Sequence, residues 1–449
     1  MTAVSGGLVL AGVLAGCTGP GLYTRERSLA QRLEDSAPSA PLEADADPFR
    51  GHASLDRAAL IREALRRNPG LAAARSAWAA AMARPAQESA LEDPMLDGSI
   101  APASFGSSMV DPGYKVGLSQ AIPFPGKRRL RGEVALAEAE ASSHEFEEAR
   151  LRLAAAASLL FDEHYLAARS IERNASHLAF VEELYHGTLA RYEAGTASQQ
   201  DALLAESELA DLLHEEVVLE TAQRRTAARI NTLLHRRPEL PLPPPPAVLD
   251  APTEMPVDAA ALTERALAAR PELRAARARA AAREQAVALA RREYLPDFTI
   301  SGAYDRIWQE KDLQPMVGLA LNVPLQLGRR DGALAQARAE LAGARSEERR
   351  AEDAVRLAVS LAVDRLLEAH HLVDLTHERM LPVARDRLAA SRAAFASGQG
   401  SFLELIDAER GLRSAELESD RAVALLWRRH AELDLATADL DQLESGVRP

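Results

Sequence analysis

Phe298-Thr299-Ile300-Ser301-Gly302-Ala303-Tyr304 and, after a polar turn, Val317-Gly318-Leu319-Ala320-Leu321-Asn322-Val323 decide how the rest of the chain is read. In each stretch the apolar residues recur every second position, and the residues between them are small or polar. That period puts all the large side chains of a strand on one face. Pro296 and Pro324 bracket the pair. Strands of about ten residues, apolar on one side and polar on the other, match the wall of a membrane β-barrel. Two hairpins on a soluble core are the alternative, but neither half supplies a helix with a free apolar face wide enough to cover them.

The pattern occurs twice. Between Pro94 and Pro123, Tyr114, Val116 and Leu118 alternate with Lys115, Gly117 and Ser119, with Leu96 and Ile100 on the preceding strand. The duplication extends outward: Ala64-Leu65-Arg66-Arg67-Asn68-Pro69-Gly70-Leu71 returns as Ala266-Leu267-Ala268-Ala269-Arg270-Pro271-Glu272-Leu273, an offset of 202. Pro94 maps to Pro296 and Gly126 to Gly328 at 202, and Gly195, Asp201 and Glu206 map to Gly398, Glu404 and Glu409 at 203. Such self-similarity means two copies of one supersecondary unit. The sequence places them at residues 55–237 (hairpin 94–124) and 258–440 (hairpin 296–325), with a short C-terminal tail at 441–449. Between them, residues 238–257 carry Pro243-Pro244-Pro245-Pro246 and read as an extended linker.

Each unit reads helix, hairpin, long helix, helix. From Lys127 to Ala194 no proline interrupts the chain, and Leu160, Ala167 and Val181, or Ile171, Leu178, Tyr185 and Tyr192, keep heptad positions. That is roughly 100 Å of helix at 1.5 Å per residue, wound as a coiled coil. In the second copy Val359, Leu366, Val373 and Met380 keep the same period, and Pro382 predicts a kink. Gly195 and Gly398 end the long helices, and helical patterns resume at about 200–235 and 402–440, so each turns back on an antiparallel partner.

Four strands cannot close a barrel, which needs at least eight, and open strand edges are not tolerated in hydrocarbon. The chain must therefore oligomerise. A trimer gives twelve strands and a dimer eight, and the strand count admits both.

Composition excludes other classes. With 449 residues and 53 Lys+Arg against 66 Asp+Glu, the net charge is −13, and no basic block supports nucleic-acid binding. Aromatics are only 4% and favour long helices over an aromatic-rich core. No stretch reaches the length of a transmembrane helix. The single cysteine excludes an intramolecular disulfide or a Cys-pair zinc site. No HExxH, phosphate loop or nucleophile elbow occurs, so no catalytic residues, cofactor or metal site is expected, and a lipid-anchored enzyme is disfavoured for want of a site. His370, His371 and His377 share a helical stretch and read as solvated or packed rather than as ligands.

Val4 to Ala15 is a short apolar run ending in Leu14-Ala15-Gly16-Cys17. It resembles a bacterial lipoprotein signal: residues 1–16 are removed, lipid is attached to Cys17, and 17–54 form an N-terminal tail. Thr18 in second place favours the outer membrane. A basic n-region is missing, which bears on the choice of start codon.

The whole pattern, over about residues 55–440, resembles the TolC-like outer-membrane efflux proteins. It rests on the duplicated Asn68-Pro69 and Arg270-Pro271 helix starts and on the exit sequence Gln120-Ala121-Ile122-Pro123-Phe124-Pro125-Gly126-Lys127-Arg128. The tip turns Tyr192-Glu193-Ala194-Gly195 and Phe395-Ala396-Ser397-Gly398, with Leu403-Glu404-Leu405-Ile406-Asp407-Ala408 after the second, complete it. The resemblance implies a mostly α chain with membrane β, forming a homotrimer whose twelve-strand barrel continues as a coiled-coil periplasmic barrel. It further implies a passive duct in the outer membrane, docked to a periplasmic adaptor (a membrane fusion protein) and an RND-type inner-membrane pump. The lipidated CusC and CzcC types are the nearest in pattern and suggest heavy-metal cations as cargo; a drug or type I secretion duct is not distinguished. A periplasmic coiled-coil scaffold shares the heptads but has no need of two alternating hairpins at equivalent positions. By resemblance, Glu404 and Asp407 line the pore gate, Asp201 is the matching acid of the first copy, and Gly195 and Gly398 make the tip turns. Where a family gate is latched by Tyr and Arg, this chain has Phe395 and Gly400.

Overall fold

The computed structural model describes residues 20–36, 47–106, 108–253, 258–308 and 310–445; Cys17 and the lipid attachment expected there lie outside them. The helices are α1 (Pro20–Asp35), α2 (Arg57–Arg67), α3 (Pro69–Ser89), α4 (Lys127–Glu193), α5 (Gln199–Leu233), α6 (Ala259–Ala269), α7 (Pro271–Arg292), α8 (Leu327–Leu375), α9 (Leu381–Ala396), α10 (Phe402–Thr437) and α11 (Leu440–Ser445). The strands are β1 (Met95–Ala101), β2 (Gly113–Ile122), β3 (Asp297–Asp305) and β4 (Pro315–Asn322). Helices α2 through α5 repeat as α6 through α10, the single α4 matched by α8 and α9 together. The described residues form two compact units that each take pieces of both repeats, one from residues 20–36, 74–146 and 272–351, the other from 47–73, 147–271 and 352–445.

In the first unit the four strands make one antiparallel sheet in the order β1-β2-β3-β4. The central β2–β3 pairing joins the repeats, with Val116 opposite Tyr304 and Ile122 opposite Phe298. Asp297 fixes it at one end, its carboxylate accepting from Phe124 N at 2.7 Å and from Lys127 Nζ at 2.9 Å. Lys127 is almost wholly buried, and Nζ also donates to the Leu295 carbonyl at 3.0 Å. A buried ammonium needs such partners, since unpaired it would carry its full desolvation penalty. Helix α1 packs on the same unit through buried Leu29, through Arg75, which donates to Leu33 O and Ser36 Oγ, and through Arg32 over the Trp78 ring.

The second unit is helical. Asp56 and Asp258 cap α2 and α6 at equivalent positions, each accepting from backbone N–H groups of the first turn. The residues ending those helices have equivalent tasks as well. Asn68 Nδ2 donates to Leu233 O at 3.0 Å, and Arg270 Nη1 donates to Leu435 O, so each repeat ties its last helix back to its first helical pair. One apolar cluster gathers Leu60, Ile61, Leu151, Phe161 and Ile230; another gathers Val355, Val359, Leu366, Leu426 and Leu433. Arg57 is buried, 2.6 Å from Asp162 and flanked by the rings of Phe161 and Trp427. The described part of the proline-rich segment, residues 238–253, has no helix and is held as a strap: Leu55 N and His164 Nε2 donate to Pro244 O and Pro243 O, and Trp427 Nε1 donates to Asp250 O.

The two long helices differ. Helix α4 runs unbroken for 67 residues. Its counterpart is interrupted by a π turn at Thr376–Met380, where Leu381 N donates to Thr376 O. The kink expected at Pro382 therefore takes the form of a π turn just before it, next to the point where proline withholds an N–H. The turn moves the heptad phase. Val359, Leu366 and Val373 are buried, but Met380, a further seven on, is 40% exposed, and burial resumes at Leu388, fifteen residues after Val373. The extra residue in the turn rotates the following helix out of the simple heptad reading.

Candidate channel wall and tip gate

The registers place Leu96, Ile100, Val116, Leu118, Ile300, Tyr304, Val317, Leu319 and Leu321 on one face of the sheet. All nine are exposed in the single chain, Val317 by 90% and Leu319 by 69%. The opposite face carries Asp97, Ser99, Lys115, Ser119, Thr299, Ser301 and Asn322. Asp97 lies across its neighbour: a Cβ at Gly117 would come 2.5 Å from Asp97 Oδ1, so a side chain there would displace the carboxylate from its present position. Tyr114 and Tyr304 pair at 6.4 Å near one end of the sheet, and Phe124 and Phe298 stack at 6.2 Å near the other. An apolar band between aromatic girdles is the outer surface of a transmembrane barrel, and the polar face is its lumen. Among the described residues strands β1 and β4 have no partner on their outer edges. Among the described residues no helix is long and apolar enough to cross a membrane.

In the second unit the two tip turns are built alike. Gly195 and Gly398 take φ of +72° and +76°, the left-handed conformation that L side chains avoid. Gly195 N and Thr196 N donate to Tyr192 O and Arg191 O; Gly398 N and Gln399 N donate to Phe395 O and Ala394 O. Both are Schellman endings. Capping boxes open the returning helices. Ser198 Oγ accepts from Asp201 N at 3.1 Å while Asp201 Oδ2 accepts from Ser198 N at 3.3 Å; Ser401 Oγ accepts from Glu404 N at 3.2 Å while Glu404 Oε2 accepts from Ser401 N at 2.9 Å. Asp201 and Glu404 thus have a structural task that the sequence reading did not name, although Ser-x-x-Asp and Ser-x-x-Glu before an apolar run are its signature.

Beyond the caps, Phe402, Leu405, Ile406 and Ala408 are buried, while Leu403, Glu404 and Asp407 share the exposed side of α10. Asp201 is half-buried at the equivalent turn of α5. Asp407 does not stand in an uncompensated field. Arg410, one turn on, has its pKa raised first by a hydrogen bond to buried Glu208 and further by Asp407 and Asp211. Phe395 packs on Phe402 at 5.7 Å and lies beneath the guanidinium of Arg191. A Cβ at Gly400 would meet that of Ala394 at 2.9 Å, so the turn itself excludes a latching arginine there. Between α4 and α9 an open groove of about 750 Å³ is lined by Phe180, Glu183, Gly187, Thr188, Arg392 and Phe395.

A polar seam between α4 and α10 was not foreseen. Arg169, Arg173 and His177 face Glu409, Glu416 and Asp420, with Arg173 at 3.0 Å from Asp420 and His177 Nε2 at 3.3 Å from Glu416. Spacings of four mark Arg169, Arg173 and His177 as one helix face, but nothing in the sequence says which helix answers it. His370 stacks edge-on against His430 at 5.6 Å. Among the described residues no group of three or more His, Cys, Asp or Glu is placed to hold a metal ion.

The outer membrane efflux protein family matches residues 60–235 and 262–439, one match per repeat. The fold is similar to that of the outer membrane protein VceC from Vibrio cholerae, 18% identical over 84% of this chain and 95% of that one, with a TM-score of 0.71. CusC is 16% identical over 89% and 96%, with a TM-score of 0.70, and the MtrE channel of Neisseria gonorrhoeae is 20% identical over 92% and 97%, also at 0.70. No curated protein matches significantly. Two family matches in tandem, on a chain with a membrane-type sheet and paired long helices, make this chain a member of the outer membrane efflux protein family, whose fold is that of the TolC-like channels.

Proposed function

We propose that this efflux channel is a lipid-anchored homotrimer, the passive exit duct of a tripartite system that carries heavy-metal cations from a periplasmic adaptor and an RND-type pump across the outer membrane. The observation that carries the reading is the sheet: one face predominantly apolar with nine large apolar side chains exposed, the other mainly polar or small, and two edges without a partner among the described residues. A second copy is what open edges in hydrocarbon require, and three copies give a twelve-strand wall. Exposed apolar residues on α5 (Leu203, Leu213, Val217) and on α8 and α9 (Leu357, Leu361, Val383) offer further surface for neighbouring copies. The cationic cargo is supported by Glu404 and Asp407, whose carboxylates in a trimer make stacked acidic rings that concentrate cations in a narrow throat. The groove beside Phe180 and Phe395, close to the tip turns, suits the adaptor.

The test is expression of the full chain in a Gram-negative strain lacking its own exit ducts, with the matching pump and adaptor. A heat-modifiable trimer in the outer-membrane fraction that restores growth on zinc, cadmium or copper salts supports the reading. Restored drug tolerance or protein secretion instead moves the cargo assignment, and a soluble monomer overturns the duct.

A further inference from the structure

The apolar spacing of β4 continues in the sequence beyond the end of the strand. Val317, Leu319 and Leu321 are followed at the same spacing by Val323, Leu325 and Leu327, exposed by 61, 83 and 58%. The backbone there folds in two successive three-residue turns, Leu325 N donating to Val323 O and Leu327 N to Leu325 O, both at 3.0 Å. Helix α8 then begins, and its first cations come at once. Arg330 is used internally, donating to Glu293 O and Gln326 O. Arg329 is exposed and has no hydrogen bond or ion pair among the described residues, and the same holds for Arg291 at the end of α7, next to the strand β3 that pairs with β4.

The equivalent junction of the first repeat is closed. Lys127 is buried against Asp297, Arg128 donates to Ser89 O, and Arg129 pairs with Glu133. The second repeat thus presents an exposed apolar segment that directly follows β4 and leads to Arg329, a guanidinium with no ion pair among the described residues. An amphiphile with an anionic head fits that sequence of chemistry. Guanidinium matches phosphate with paired N–H donors, and the apolar segment matches an acyl chain.

We propose that this junction binds an anionic phospholipid of the periplasmic leaflet, its acyl chain along Val323, Leu325 and Leu327 and its phosphate at Arg329; the exposed Arg291 at the end of α7 is tested as a second cation. The inference rests on the reading of the sheet as a membrane barrel. It is tested with the full-length oligomer reconstituted in phosphatidylethanolamine nanodiscs, with or without phosphatidylglycerol. Two readouts apply: the lipid retained, by native mass spectrometry, and the heat-dissociation midpoint. Phosphatidylglycerol should be retained and should raise the midpoint. Arg329→Gln and Arg291→Gln should each lower retention roughly tenfold, the worth of one charge-assisted hydrogen bond, and remove the rise. The control Arg338→Gln, farther along α8, should behave as wild type.

Wild-type retention in Arg329→Gln overturns the proposal. So does an equal drop in midpoint in phosphatidylethanolamine alone, because the apolar segment then belongs to a contact between copies. A chain that never enters the outer membrane overturns the barrel reading and this inference together, whereas an inserted oligomer with unchanged lipid dependence overturns the inference alone.

Discussion

His177 Nδ1 lies 2.5 Å from a carboxylate oxygen of Glu409, a residue with no exposed surface, so the imidazole of α4 is the counter-charge of an acid buried on α10. Burial alone would lower the pKa of His177, but hydrogen bonds to Glu409 and Glu416 outweigh it and raise the value to about 9. The raised folded value means that the stabilisation is fully present below the ordinary value of 6.5 and is lost as pH rises through about 9. Glu416, held below its ordinary range chiefly by His177, adds stability that is lost only in acid. The melting temperature of the helical portion, followed by circular dichroism, should therefore fall between pH 7 and 10. His177→Gln should flatten that slope while destabilising the protein at pH 6, by an amount on the order of 3 kcal/mol. An unchanged slope in the variant would assign the alkaline loss to another group.

The strand faces make a second expectation. Leu319 is on the lipid side and Ala320 on the lumenal side of β4. Leu319→Arg should cost about 2 to 4 kcal/mol of barrel stability and Ala320→Arg much less, since only the first puts a charge into hydrocarbon. Dissociation of the oligomer by heat or urea measures both, and equal effects would mean that the faces are assigned wrongly.

At the tip, cap and charge can be separated. Glu404→Gln keeps an N3 side chain able to close the capping box, and with Asp407→Asn it removes both charges from the exposed side of α10. This pair should lower cation-over-anion selectivity in planar bilayers and weaken block by multivalent cations, leaving the thermal midpoint nearly unchanged. Ser401→Ala should do the reverse, costing about 1 kcal/mol with selectivity intact. Wild-type selectivity in the double variant would remove these acids from the gate.

For the anchor, Cys17→Ala should abolish palmitate labelling while the protein still reaches the outer membrane, because the barrel inserts by its own apolar band. Labelling that survives the substitution would place the lipid on another residue.

Much of the fold was legible because its signals are local. Alternation at Val317–Leu321, prolines at 94 and 296, and glycines at 195 and 398 each constrain the backbone where they stand, and the structure has strands, strand starts and left-handed turns there. The candidate site was legible only in part. Glu404 and Asp407 lie three apart on a helix and so share a face, but the opposing charge nearby is Arg410, itself bonded to buried Glu208 on another helix. The seam of His177 with Glu409 and the burial of Lys127 against Asp297 join residues 232 and 170 positions apart, and no periodicity carries information over that distance.

The π turn at Thr376–Met380 also bears on the history of the chain. Counted at Gly126 and Gly328 the two repeats are 202 residues apart, and at Gly195 and Gly398 they are 203 apart, so one residue was gained within the second long helix, or lost from the first, after duplication. A π turn is what a single added residue becomes when the helix on either side keeps its packing, and the burial series slips by one across this turn. Deleting one residue between Thr376 and Met380 should bring the two copies back into step as uninterrupted helices, and the face that α9 turns to its surroundings would then be inherited from the ancestral unit rather than set by an insertion.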